Sequence, residues 1–134
     1  MRKLALWGPV VAWAAVIFAL SSVPSLSSGL GTWDEVLRKG AHLTEYAILG
    51  ALLFRVLGRW QPALLIGIAY AATDEIHQHF VHGRHSSPFD VAFDASGLAI
   101  GLLVALSVQS NRARAEELRR PTAGRDPRAA GRAP

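Results

Sequence analysis

Leu4 to Leu20 is 17 residues without a single charge. As an α-helix at about 1.5 Å per residue it would be about 26 Å long, enough to reach across a bilayer core. Met1-Arg2-Lys3 stands in front of it as a basic flank. A cleaved signal peptide shares that layout, although the run is long for its apolar region. Three more apolar stretches follow. One runs from Ala41 to Leu57, interrupted by His42, Glu45 and Arg55. The next runs from Pro62 to Thr73 and continues through Asp74-Glu75-Ile76-His77-Gln78. The last runs from Val91 to Val108, interrupted by Asp94. Pro62 suits the first turn of a helix. Ser21 to Thr32 and His79 to Pro88 read as loops. The expected fold is all-α: an integral membrane bundle of four transmembrane helices over residues 1–108, then a disordered, Arg-rich tail over residues 109–134. A water-soluble bundle would need charged outer helix faces, which these segments lack.

The absence of cysteine excludes disulfide scaffolds, zinc–thiolate and iron–sulfur sites, and cysteine nucleophiles. Asn111 to Pro134 holds seven arginines and three acids, so the formal net charge of +4 lies wholly in that segment. An uncharged apolar body with a basic end fits a membrane protein, and nucleic acid is not an expected partner. The tail arginines are expected to meet anionic lipid. Arg2 and Lys3, Arg55 and Arg59, and Arg112 and Arg114 all fall on one side of a four-span topology, which predicts cytoplasmic N- and C-termini. Arg38, Lys39 and Arg84 fall on the other side, the first two offset by Asp34 and Glu35.

In that topology the ionisable residues within the apolar segments share one depth. His42 and Glu45 lie near the start of the second helix, Asp74, Glu75, His77 and Gln78 in the last two turns of the third, and Asp90 and Asp94 in the first turns of the fourth. All map to the outer third of the bilayer. Spacings of three and four give each helix one polar stripe: Arg38, His42, Glu45 and Leu49, with Tyr46 beside them; Gly67, Tyr70, Asp74, His77 and Val81; and Asp90, Asp94, Gly97 and Gly101. The glycines predict close helix approach beneath the polar residues. A charge at the bilayer centre costs about 2.5–3.5 kcal/mol on insertion scales, so such residues usually pair and mark a functional site. The plainer reading is that they are caps, interface anchors and interhelical contacts.

Arg38-Lys39-Gly40-Ala41-His42-Leu43-Thr44-Glu45-Tyr46-Ala47-Ile48-Leu49-Gly50 resembles the first motif of the VanZ-like family. Asp74-Glu75-Ile76-His77-Gln78, then Gly83-Arg84, Ser86 or Ser87, Asp90-Val91 and Gly97, resembles its second. The chain departs from that pattern at Asp94, where the family usually has Asn, and at His82, where it often has Pro. The resemblance implies a small multi-pass protein of the bacterial plasma membrane, in a family whose founding member is linked to resistance to teicoplanin, a lipoglycopeptide antibiotic.

Three kinds of chemistry suit the constellation. In the first, a lipid-linked anion is bound, with or without turnover. Arg38, Lys39 and Arg84 face a phosphate, with Tyr46, Gln78, Asp90 and Asp94 completing the binding set. His42, Glu45, Asp74, Glu75 and His77 are then the candidate catalytic acids, bases or nucleophiles. Membrane lipids, as polyprenyl-phosphate or phospholipid headgroups, are the expected partners. In the second, His42-x-x-Glu45 and Asp74-x-x-His77 contribute to a metal site. That pattern needs further bridging carboxylates, so no metal ligand is assigned, and no cofactor is specified. In the third, Arg38 or Arg84 pairs with Asp74 or Asp90 as a non-enzymatic lock on the bundle. Phosphate-binding G-x-x-x-x-G-K-[ST], G-x-S-x-G and H-E-x-x-H motifs are all absent.

Overall fold

The computed structural model describes residues 2–24, 32–84 and 87–120. These form four α-helices: α1 (Arg2–Ser21), α2 (Thr32–Leu57), α3 (Trp60–His79) and α4 (Pro88–Arg119). There is no strand among the described residues. Two stretches are long and apolar enough to cross a bilayer: Val36–Leu57 within α2, and Pro88–Arg119. Ala5–Ser21 is apolar but shorter. In α3 the apolar run is cut short by Asp74, Glu75 and the polar residues after them.

Two boundaries differ from the sequence expectation. α2 begins at Thr32, earlier than the expected start about one turn before His42, because the stretch from Asp34 to Lys39 contains no helix breaker and the helix passes through it. His42 therefore sits about three turns into α2 rather than one. α4 runs past Val108 to Arg119, which corrects the expectation of disorder for residues 109–119. Asn111 to Arg120 is made mostly of Ala, Arg, Glu and Leu, which are strong helix formers. Glu116 and Arg120 sit at the favourable i, i+4 spacing. The helix stops where Arg120 turns extended (φ −67°, ψ 119°), the conformation imposed on a residue that precedes proline, here Pro121. The remainder of the expected disordered tail lies outside the described residues.

The bundle hides polar groups and shows apolar ones. Ser21, Asp74, Glu75, Gln78 and Asp94 are buried, whereas Val11, Leu65, Ile76, Leu103 and Val104 are more than half exposed. That inversion suits lipid surroundings. The apolar core is assembled around Tyr46, Leu49, Leu53, Ala63, Ala71 and Leu98, with Ile17 from α1.

Glycine controls how α2 and α4 meet. A Cβ on Gly97 would lie 2.5 Å from the carbonyl oxygen of Leu43, and one on Gly50 would lie 2.6 Å from that of Leu98. One on Gly101 would collide with the carbonyl oxygen of Ala47. The backbones thus touch along several turns, as the small-residue stripe predicts. At the turn between α2 and α3, Gly58 takes a left-handed conformation (φ 65°) and its N–H donates to the Phe54 carbonyl at 2.8 Å.

Ser87 caps α4 by accepting the Phe89 N–H at 3.3 Å, one residue before Pro88 at the first helical position. Ser87→Ala is expected to lower stability by about 1 kcal/mol, read as a small drop in thermal midpoint in detergent.

Candidate functional site

α1 and α3 run in one direction and α2 and α4 in the other. The ends of the first pair therefore meet the early turns of the second pair at one end of the bundle. Asp74, 2% exposed, is the centre of this polar end. Its Oδ2 accepts from Ser21 Oγ at 2.7 Å, from Gln78 Nε2 at 3.0 Å and from the Tyr46 hydroxyl at 3.2 Å. One oxygen thus ties α1, α2 and α3 together. Its other oxygen, Oδ1, is buried with no hydrogen-bond partner among the described residues, and so is Glu45 Oε2.

Across the bundle, His42 Nδ1 lies 3.5 Å from Asp94 Oδ1. His42 also feels the charges of Glu45 and Asp74, so the four side chains form one electrostatic group. The His42 ring stacks on Tyr46, with centroids 6.3 Å apart, and Tyr46 meets Tyr70 at the same separation. The Tyr70 hydroxyl donates to the Ala14 carbonyl at 2.6 Å, and Trp13 Nε1 donates to the Glu45 carbonyl at 2.9 Å.

Arg84 holds the end of α1. Its guanidinium donates to the carbonyls of Leu20 at 3.0 Å and Val23 at 3.2 Å, and to Gln78 Oε1 at 3.0 Å. A cation on the last carbonyls of a helix also answers the helix dipole. Burial lowers the Arg84 pKa, and the nearby charge of Arg38 lowers it further, although a guanidinium keeps its charge regardless. Three of its five N–H donors are engaged by these bonds.

The candidate residues therefore divide. His42, Glu45, Tyr46, Asp74, Gln78 and Asp94 come together, with Arg84 at the edge and Arg38 near it. His77 turns toward α1, stacking on Phe18 at 4.3 Å with Nε2 3.0 Å from Ser22 Oγ. Glu75 accepts the Ser87 N–H at 2.7 Å and so anchors the start of α4. Asp90 is half-buried near Glu75, and Lys39 is exposed. Arg84 bonds to Gln78 and to carbonyls where the sequence expectation paired it, or Arg38, with Asp74 or Asp90. The ion pair found within the cluster is His42 with Asp94. No group of three or more His, Asp or Glu side chains converges as metal ligands among the described residues. Ser21, Ser22 and Trp13 were not foreseen. The available signal was the depth at which α1 ends, level with Asp74 in a helix parallel to its own.

Beside the cluster, α1 and α2 leave an open groove of about 600 Å³. Trp13, Leu37, Gly40, Ala41 and Thr44 line it, together with Glu45, its one ionisable residue among the described residues.

Comparison with known proteins decides the relationship. The family model described as VanZ/LLP1 matches residues 6–109. The chain belongs to the VanZ/LLP1 family. Both stretches that resemble VanZ motifs, and the whole polar end of the bundle, fall inside that match. No curated protein and no solved structure matches this VanZ-family chain.

Proposed function

We propose that this VanZ-family protein is a four-span protein of the plasma membrane with both termini cytoplasmic, whose outward-facing polar end binds the phosphate of a lipid-linked headgroup. The observation that carries the reading is Arg84, a guanidinium at the edge of the cluster whose bonds to Leu20, Val23 and Gln78 engage three of its five N–H donors. Arg38 stands on the same stripe of α2 as His42 and Glu45, about one turn before His42. Arginine suits phosphate through its bidentate fork. A phospholipid or polyprenyl phosphate supplies such a group at the bilayer surface. A link to teicoplanin resistance is consistent with a protein that binds envelope lipids. Within the cluster His42, oriented by Asp94, is the best placed general base. Glu75, committed to the start of α4, is the least available of the candidate acids.

Native mass spectrometry of the gently purified chain tests this. A retained adduct of phospholipid or polyprenyl-phosphate mass is expected, and Arg38→Gln should remove most of it. Arg38 carries the test because Arg84 also holds α1. A chain that retains no phosphate-bearing lipid, or retains it equally in Arg38→Gln, would count against the reading.

A second reading has its own observation. Asp74 Oδ2 joins three helices, which is the arrangement of a lock rather than a site. In that case Arg38→Gln and His42→Gln would lower the thermal midpoint in step with any loss of lipid.

A further inference from the structure

Two carboxylate oxygens at the polar end lack a donor. Asp74 Oδ1 and Glu45 Oε2 are enclosed within the bundle, and neither has a hydrogen-bond partner among the described residues. Buried acceptors of this kind are satisfied in nearly all folded proteins. A headgroup or other ligand from outside does not reach atoms so enclosed. The donor has to come from the cluster itself.

The side chains around the two oxygens are already engaged. On α1, Ser21 donates to Asp74 Oδ2, and the Trp13 indole donates to the Glu45 carbonyl rather than its carboxylate. On α2, the Tyr46 hydroxyl also serves Asp74 Oδ2, and His42 Nδ1 faces Asp94 of α4. On α3, Gln78 Nε2 serves Asp74 Oδ2, the Tyr70 hydroxyl serves the Ala14 carbonyl, and Glu75 accepts the Ser87 N–H. Arg84 is bonded to carbonyls and to Gln78 Oε1. Glu45 stands in the electrostatic field of Asp74, as well as those of His42, Asp94 and Arg84. No ion pair among the described residues joins a basic side chain to Glu45 or to Asp74.

We infer that the polar end is a proton-binding site: Glu45 is held as a neutral carboxylic acid whose O–H, on Oε2, donates to Asp74 Oδ1. One proton then serves both oxygens. It turns Glu45 Oε2 from an acceptor into a donor and completes the shell of Asp74. It also removes one of two neighbouring buried charges, the usual outcome where no cation is at hand to pair with them. The inference goes beyond phosphate binding and does not depend on it. His42, the proposed base, lies one turn from Glu45 on the same stripe of α2. The cluster therefore holds a proton donor and a proton acceptor side by side, the arrangement that acid–base chemistry needs.

Carbon-13 NMR of the full-length chain in detergent, labelled at the glutamate side-chain carboxyl carbon, tests this at neutral pH. The signal lost in Glu45→Gln reports Glu45, and in the unaltered chain it should stand in the protonated position. Asp74→Asn, which can turn an amide N–H to the same side, should move it to the charged position. A Glu45 signal in the charged position in the unaltered chain overturns the inference and leaves the two oxygens to a trapped water. A protonated signal indifferent to Asp74→Asn overturns Asp74 as the acceptor. Thermal midpoints decide the matter if Asp74→Asn does not fold. Glu45→Gln offers Asp74 an amide N–H in place of the O–H and should melt close to the unaltered protein, whereas Glu45→Leu strips the donor and should melt lower. A midpoint raised by Glu45→Gln would show that two charges had been repelling each other. That rise, or a midpoint unchanged in Glu45→Leu, overturns the shared proton.

Discussion

Gly101→Ala will destabilise the bundle by about 3 kcal/mol or more, seen as a large fall in thermal midpoint in detergent. The added methyl would fall on the carbonyl oxygen of Ala47. That atom belongs to backbone in the middle of α2, so no rotamer change can make room and α4 must move away. The displacement would also loosen the neighbouring contacts of Gly97 with Leu43 and of Gly50 with Leu98. The control is built into the same chain. Gly8→Ala and Gly40→Ala place their methyl groups in open space, and should be neutral or slightly stabilising because alanine is the better helix former. If Gly101→Ala melts with those controls, the close packing of α2 on α4 described above is wrong.

Asp74→Leu should be comparably severe, at about 3–5 kcal/mol. It would strip the acceptor from Ser21, Tyr46 and Gln78 at once. A buried donor left unsatisfied costs about 1–3 kcal/mol, while interhelical hydrogen bonds in membranes average about 0.6 kcal/mol. The prediction sits between the extremes those figures imply. Asp74→Asn behaves differently. It keeps an acceptor on the Oδ2 side and can turn its amide toward the unpartnered Oδ1 side. It should therefore melt close to the unaltered protein. Any loss of lipid binding in Asp74→Asn would then reflect charge rather than fold. A deep loss of stability in Asp74→Asn would mean that the carboxylate itself, and not its acceptor geometry, holds the helices together.

The number of helices and their polar stripes were legible in the sequence because apolar runs and spacings of three and four are local signals. His42, Glu45, Asp74 and Asp94 converge because each lies on the stripe read for its helix at a matching depth, whereas Tyr46 comes from beside its stripe and Gln78 enters the cluster where the α3 stripe offered His77. The ends of helices were harder to read. The apolar run that marks α2 opens only at Ala41, so the charged turns before it give no apolar signal for where the helix starts, and Asn111 to Arg119 reads as tail by charge although its residues are strong helix formers. Partner choice was harder still. Arg84 faces both carboxylates and free helix-end carbonyls, and one-dimensional spacing does not rank them. The structure shows it on Leu20, Val23 and Gln78. Ser21 and Ser22 carry no periodic signal of their own, and their value to Asp74 and His77 exists only once α1 is packed beside α3.

The length of α4 exceeds what crossing a bilayer would require. Its 32 residues make a rod of about 48 Å, against about 30 Å of hydrocarbon. If the hydrocarbon begins at Pro88, the rod leaves it near Val108. Arg112 and Arg114 would then stand at the depth of the headgroups. Arg119 and Arg120 project about 17 Å beyond the hydrocarbon edge, further than the screening distance of about 8 Å at physiological salt lets lipid charge act. The last turn of α4 works as a rigid mast.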